Sequence, residues 1–100
     1  MGLDFAIDEL YATGWSALDT AGCEHTSAGR LFPGLKRVTK DFEGAGCVLR
    51  VRHMRDFDCF RAEWSDKRGA PLGAVVGRSE AEAAVYALAQ WRRQSAAIGA

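Results

Sequence analysis

No excess of either charge marks this chain: 13 Lys+Arg stand against 13 Asp+Glu in 100 residues. A neutral total counts against a protein that holds nucleic acid by net charge alone. No apolar run approaches the roughly 18 residues that cross a bilayer, so no membrane span is expected. The opening Met1-Gly2-Leu3-Asp4 is acidic, and Asp8 and Glu9 follow. A secretory signal begins basic and continues apolar, so none is expected here. No long internal repeat is present, which excludes solenoid arrays. Proline is scarce, at 2 residues. Cysteine is scarce too: Cys23, Cys47 and Cys59 are odd in number and irregular in spacing. They make a poor disulfide framework, and reduced, semi-buried thiols in a cytoplasmic protein are the expectation.

What is there describes a single folded domain over residues 1–100. Apolar residues make up 48% and charged ones 26%, too apolar for disorder. A second core does not fit, because independent domains need more than about 50 residues each. The charges are segregated along the chain. Residues 1–27 hold five acids and no base, residues 28–68 ten bases and six acids, and residues 69–100 three bases and two acids. Such asymmetry marks either a binding surface or an acidic helix docked beside a basic sheet.

Residues 1–21 read as an N-terminal helix. Leu3, Ile7, Leu10, Tyr11, Gly14, Trp15 and Leu18 recur at steps of three and four, which places them on one stripe. Gly14 weakens this helix by about 1 kcal/mol relative to Ala, and the helix should stop before Gly22. Residues 22–31 read as a loop. A second helix is expected with Pro33 at its first position, where the missing N–H costs nothing. Its apolar edge is Leu35, Val38 and Phe42, while Lys36, Arg37 and Lys40 turn toward water. Gly44 and Gly46 suit its end.

The period then changes from 3.6 to 2. Leu49 and Val51 alternate with Arg50 and Arg52; Phe60, Ala62 and Trp64 alternate with Cys59, Arg61 and Glu63. These are two half-buried strands joined by the turn Arg55-Asp56-Phe57-Asp58. A four-residue turn pairs Met54 with Cys59, Arg52 with Arg61, and Arg50 with Glu63. A second turn at Asp66–Gly69 leads to a third strand, Leu72–Val76. The last helix opens on a capping box, Ser79-x-x-Glu82. Its apolar stripe is Ala81, Ala84, Val85, Leu88 and Trp91.

The fold class is therefore α+β: an N-terminal helix, then α-β-β-β-α over residues 32–95. The three-stranded antiparallel sheet packs against helices on one face. Leu49, Val51, Phe60, Ala62 and Trp64 point at the helices, and Arg50, Arg52, Met54, Cys59, Arg61 and Glu63 point away.

Residues 33–94 are similar in arrangement to the double-stranded-RNA-binding domain, and to small sandwich domains of phage-like proteins. The local likeness is Gly77-Arg78-Ser79 followed by the Ala-rich run Glu80–Leu88. The resemblance implies an α-β-β-β-α sandwich. The RNA-binding family sets phosphate-binding lysines in the first turn of that last helix. This chain has Glu80, Ala81 and Glu82 there, and Arg55-Asp56-Phe57-Asp58 in place of the family's minor-groove loop. The departures argue against inheriting the family's function.

No constellation points to catalysis or to a cofactor. Cys23 and His25 are locally paired, but Cys47, His53 and Cys59 complete no zinc spacing, so no metal is expected. No nucleophile elbow or phosphate-cradling loop occurs. No small-molecule substrate is evident, and the chain is not expected to be an enzyme. Trp15, Trp64 and Trp91 are read first as core. The arginines Arg50, Arg52 and Arg61 are the most suggestive group. Either they form a solvated face on which Glu63 pairs with Arg50, or they meet an anionic partner. The leading expectation is a non-catalytic interaction module that binds a protein partner or itself, through Arg50, Arg52, Arg61 and Glu63. The alternative is nucleic acid on the same face, helped by Lys36, Arg37 and Lys40.

Overall fold

The computed structural model describes residues 2–16 and 20–99, with side chains as far as residue 95. Helix α1 (Leu3–Ala12) buries Ala6, Ile7 and Leu10 on one face. It ends well before Gly22. The amides of Thr13 and Gly14 turn back onto the carbonyls of Leu10 and Tyr11 at 3.0 Å, and Gly14 takes a φ of +87°. That left-handed conformation stops a helix, and glycine adopts it without a Cβ penalty. Leu18, placed on the same stripe by its spacing, lies outside the described residues.

The segment expected to be a loop contains a small antiparallel hairpin, β1 (Cys23–His25) and β2 (Leu31–Pro33), paired Cys23 to Pro33. Its turn is tied by Gly29 N–H donating to the Thr26 carbonyl at 2.9 Å and by Arg30 N–H donating to Thr26 Oγ1 at 3.1 Å. Pro33 is thus a strand residue and not the first residue of a helix. Gly34 N–H continues the ladder onto the Gly22 carbonyl at 2.9 Å, which holds the chain extended until α2 (Leu35–Gly44) begins. Helix α2 buries Val38 and Phe42, and past its end Gly46 takes a φ of +83°.

The main sheet has the order β3-β4-β5, from β3 (Cys47–Met54), β4 (Cys59–Asp66) and β5 (Pro71–Gly77). The β3–β4 register is the one the four-residue turn dictates: Met54 to Cys59, Arg52 to Arg61, Arg50 to Glu63. Asp58 closes that turn in a left-handed conformation, φ +46°. Leu49, Ala62 and Trp64 are buried on one face, against Phe42 of α2, whose ring lies 5.6 Å from that of Trp64. Burying a side chain of this size contributes about 1.5–3 kcal/mol.

Helix α3 (Glu80–Gly99) is the hub of the molecule. Ser79 Oγ accepts the Glu82 N–H at 3.1 Å, and the Glu82 carboxylate accepts the Arg78 N–H at 2.5 Å. The helix is buried on more than the expected stripe: Ala83, Ala87 and Ala89 are as inaccessible as Ala84, Val85 and Leu88. Over Ala83–Ala89 the helix is apolar on nearly every side, as suits a segment that lies inside. The sheet and α2 cover one side of it, and α1 packs on another. No helix is long and apolar enough to cross a membrane among the described residues.

Candidate functional site: the open face of the sheet

Helices α2 and α3 both pack on the face of the sheet that carries Leu49, Ala62 and Trp64. The opposite face carries Arg50, Arg52 and Met54 from β3, and Cys59, Arg61 and Glu63 from β4, as alternation requires. Strand β5 adds Ala74 and Val76 to it, with Ala74 beside Glu63 and Val76 beside Arg61, and Leu72 stands at the register shift on its border. Helix α1 docks on α3 and leaves this face open. Leu72 and Val76 are 46% and 54% exposed, and Val48 is 40% exposed. The face is therefore cationic in the middle and apolar along β5.

Arg52 lies directly opposite Arg61. Like charges in that position repel unless a counter-charge intervenes. Glu63 is the only carboxylate on the face among the described residues. It lies across from Arg50 in the register, yet its Oε2 stands 3.4 Å from Arg61 Nε on its own strand. The expected Arg50–Glu63 ion pair is replaced by Arg61–Glu63. Among the described residues, no carboxylate pairs with Arg50 or Arg52.

Three acids of the chain's first segment, Asp4, Asp8 and Glu9, are engaged elsewhere. Arg30, projecting from the hairpin, meets Asp8 at 2.5 Å and Asp4 at 3.4 Å. Its guanidinium lies 5.3 Å from the centre of the Tyr11 ring. Hydrogen bonding to Asp8 raises the Arg30 pKa further above its ordinary value, against a smaller opposing effect of desolvation. Glu9 pairs with Arg93 of α3. An acidic helix docked beside basic groups is what the structure contains, but the bases are Arg30 and Arg93, not those of the sheet.

A hollow of about 640 Å³ opens on the same face, walled by Arg50, Arg61, Glu63, Trp64, Leu72 and Ala74. Trp64 itself points to the helix side, where its indole lies against Gly73, its cross-strand neighbour, which has no side chain. The Trp64 indole is 1% exposed, and its Nε1–H has no hydrogen-bond partner. Leaving such a donor unpaired costs about 1–3 kcal/mol. Sequence reading placed Arg50, Arg52, Arg61 and Glu63 together but omitted Leu72, Ala74 and Val76. Their period-2 spacing in the third strand was the signal.

The second candidate group, Lys36, Arg37 and Lys40, borders a separate hollow of about 480 Å³ with Asp41. It lies on α2, so the sheet stands between it and the open face. Arg37 holds local structure: it meets Asp41 at 3.4 Å and donates to the Ala21 carbonyl at 2.8 Å. Lys36 and Lys40 are exposed. Cys23, Cys47 and Cys59 are free thiols. No group of three or more His, Cys, Asp or Glu is arranged to hold a metal among the described residues.

No family model, curated protein or solved structure matches the chain.

Proposed function

We propose that the chain is a non-catalytic interaction module that binds an acidic protein surface through the open face of its sheet. The observation that supports this is the division of charge. The acids of α1 are matched by Arg30 and Arg93, while Arg50 and Arg52 face outward with no carboxylate paired to them among the described residues. Beside them Leu72 and Val76 offer apolar surface to a partner. Arginine with neighbouring apolar area is the composition of protein interfaces.

Nucleic acid is the second reading, favoured by the opposed guanidinium groups of Arg52 and Arg61 and by the element order shared with the double-stranded-RNA-binding domain. Glu63 at the centre of the face counts against it. So do Glu80 and Glu82 in the turn where that family places lysines. The sheet also separates Lys36 and Lys40 from the three arginines.

A backbone-amide NMR titration separates the two. A peptide with alternating acidic and apolar residues is added in one series, and short RNA and DNA duplexes in another, at low and at physiological salt. Shifts on Arg50, Arg52 and Arg61 with the peptide alone support the protein reading. Shifts with duplex that weaken steeply with salt transfer the face to nucleic acid. An Arg52→Glu/Arg61→Glu variant that stays folded and still binds the peptide sinks the open-face assignment.

A further inference from the structure

Strand β5 is an outer strand of the sheet, and among the described residues no backbone hydrogen bond reaches its free side. Exposed edges are normally guarded by charge, proline or a bulge, because their unpaired N–H and C=O groups invite another strand. The other edge has such guards: β3 carries Arg50, Arg52 and His53. Strand β5 reads Pro-Leu-Gly-Ala-Val-Val-Gly, with no charge along its length. Its one proline stands at its first residue, and the one register shift, which leaves Leu72 without a partner on β4, falls at the same end, so both leave Gly73–Gly77 free to pair.

The strand is also its own complement. An antiparallel copy centred on Ala74 sets Ala74 against the same residue, Leu72 against Val76, and Gly73 against Val75. Every opposed pair is apolar and no like charges meet. Stacking two copies through their open faces does the reverse, since it brings both sets of Arg50, Arg52 and Arg61 together.

Space is present on both sides of this edge. The hollow of about 640 Å³ lies beside Leu72 and Ala74 on the open face. Another of about 370 Å³ lies between Leu72, Trp64 and Trp91 on the helix side. The unpaired Trp64 donor sits here too: its Cε2, to which Nε1 is bonded, stands 2.7 Å from where a Gly73 Cβ would be.

We propose that two copies of this chain pair antiparallel through β5, across a two-fold axis at Ala74, to form one continuous six-stranded sheet. The open faces of the two copies then lie side by side and uncovered. The pairing does not depend on what that face binds.

Sedimentation velocity over a concentration series up to about 1 mM tests this. A reversible dimer is expected. Ala74 is exposed and lies beside Glu63, so Ala74→Lys leaves the monomer folded, while two lysines meet at the axis. That variant should weaken the dimer at least tenfold, with an unchanged circular dichroism spectrum. Leu72→Lys should weaken it as well, and Leu72→Lys/Val76→Glu should restore it by pairing each lysine with a glutamate of the other copy. Arg52→Glu/Arg61→Glu should leave it intact. A wild-type chain that stays monomeric throughout overturns the proposal and leaves a foreign strand as the occupant of the edge. A dimer indifferent to Ala74→Lys overturns it as well. A dimer broken by the arginine changes alone places contact on the open face instead.

Discussion

Gly73 lies opposite Trp64 in the β4–β5 register, and a methyl group on its Cα would stand 2.3 Å from the indole Cζ2. The glycine is kept by space and not by backbone conformation. Trp64 cannot yield easily, because Phe42 and the rest of the core hold its ring. Gly73→Ala is therefore expected to destabilise the fold by about 1–3 kcal/mol, measured by urea denaturation. A neutral result would mean that the indole swings aside at little cost.

The start of α3 offers a second test. Ser79→Ala removes the acceptor for the Glu82 N–H and should cost about 1 kcal/mol. Glu82→Ala leaves the Arg78 N–H without its acceptor and should cost about 1–3 kcal/mol. The double variant should cost less than the two losses added, because both bonds order the same turn.

Arg52 and Arg61 oppose each other on an exposed face. Arg52→Glu converts that repulsion into an attraction and should raise stability by about 0.2–1 kcal/mol. The gain should shrink as salt is added. The same change should abolish binding of an acidic peptide. Stability rising while binding falls is the signature of a pair retained for something other than folding.

Tyr86 packs its ring 6.0 Å from Phe5. Burial first, and the nearby Glu82 second, raise its phenol above the ordinary 10.0. In the unfolded chain the phenol ionises around that ordinary value; in the fold it keeps its proton to higher pH. The stability tied to the neutral phenol is complete below pH 10.0 and falls as pH rises through the folded value. Thermal melts above pH 10.0 should show this decline, and Tyr86→Phe should flatten it.

Arg30 bridges the hairpin to α1 through Asp4 and Asp8. Arg30→Ala should leave the sheet intact but speed hydrogen exchange of the α1 amides, with little effect on those of β4. Equal acceleration in both would show that α1 and the sheet open as one unit.

The sheet was legible in the sequence because its signals are local. Arg55–Asp58 fixes a four-residue turn, and the alternation on either side then allows a single register. The arginine cluster follows from that register. The β1–β2 hairpin was hidden because three residues per strand are too few to show a period. Its better signal was Thr26-Ser27-Ala28-Gly29, a turn with glycine at the last position. Pro33 misled for a related reason: φ near −65° suits a strand end as well as a helix start. The extent of α3 burial was hidden because alanine gives a helix no preferred face. The choice of Glu63 for Arg61 over Arg50, and of Arg30 and Arg93 for the acids of α1, is tertiary, and spacing along the chain does not encode it.

Thr13 and Arg92 are 79 residues apart and are joined by a 2.8 Å hydrogen bond. A ribosome adding about 5–20 residues per second takes roughly 4–16 s to cover that distance. For that whole interval Ala6, Ile7 and Leu10 exist without the helix that buries them. The segment made early is thus the one completed last, and Leu3–Ala12 is where the nascent chain most needs shelter.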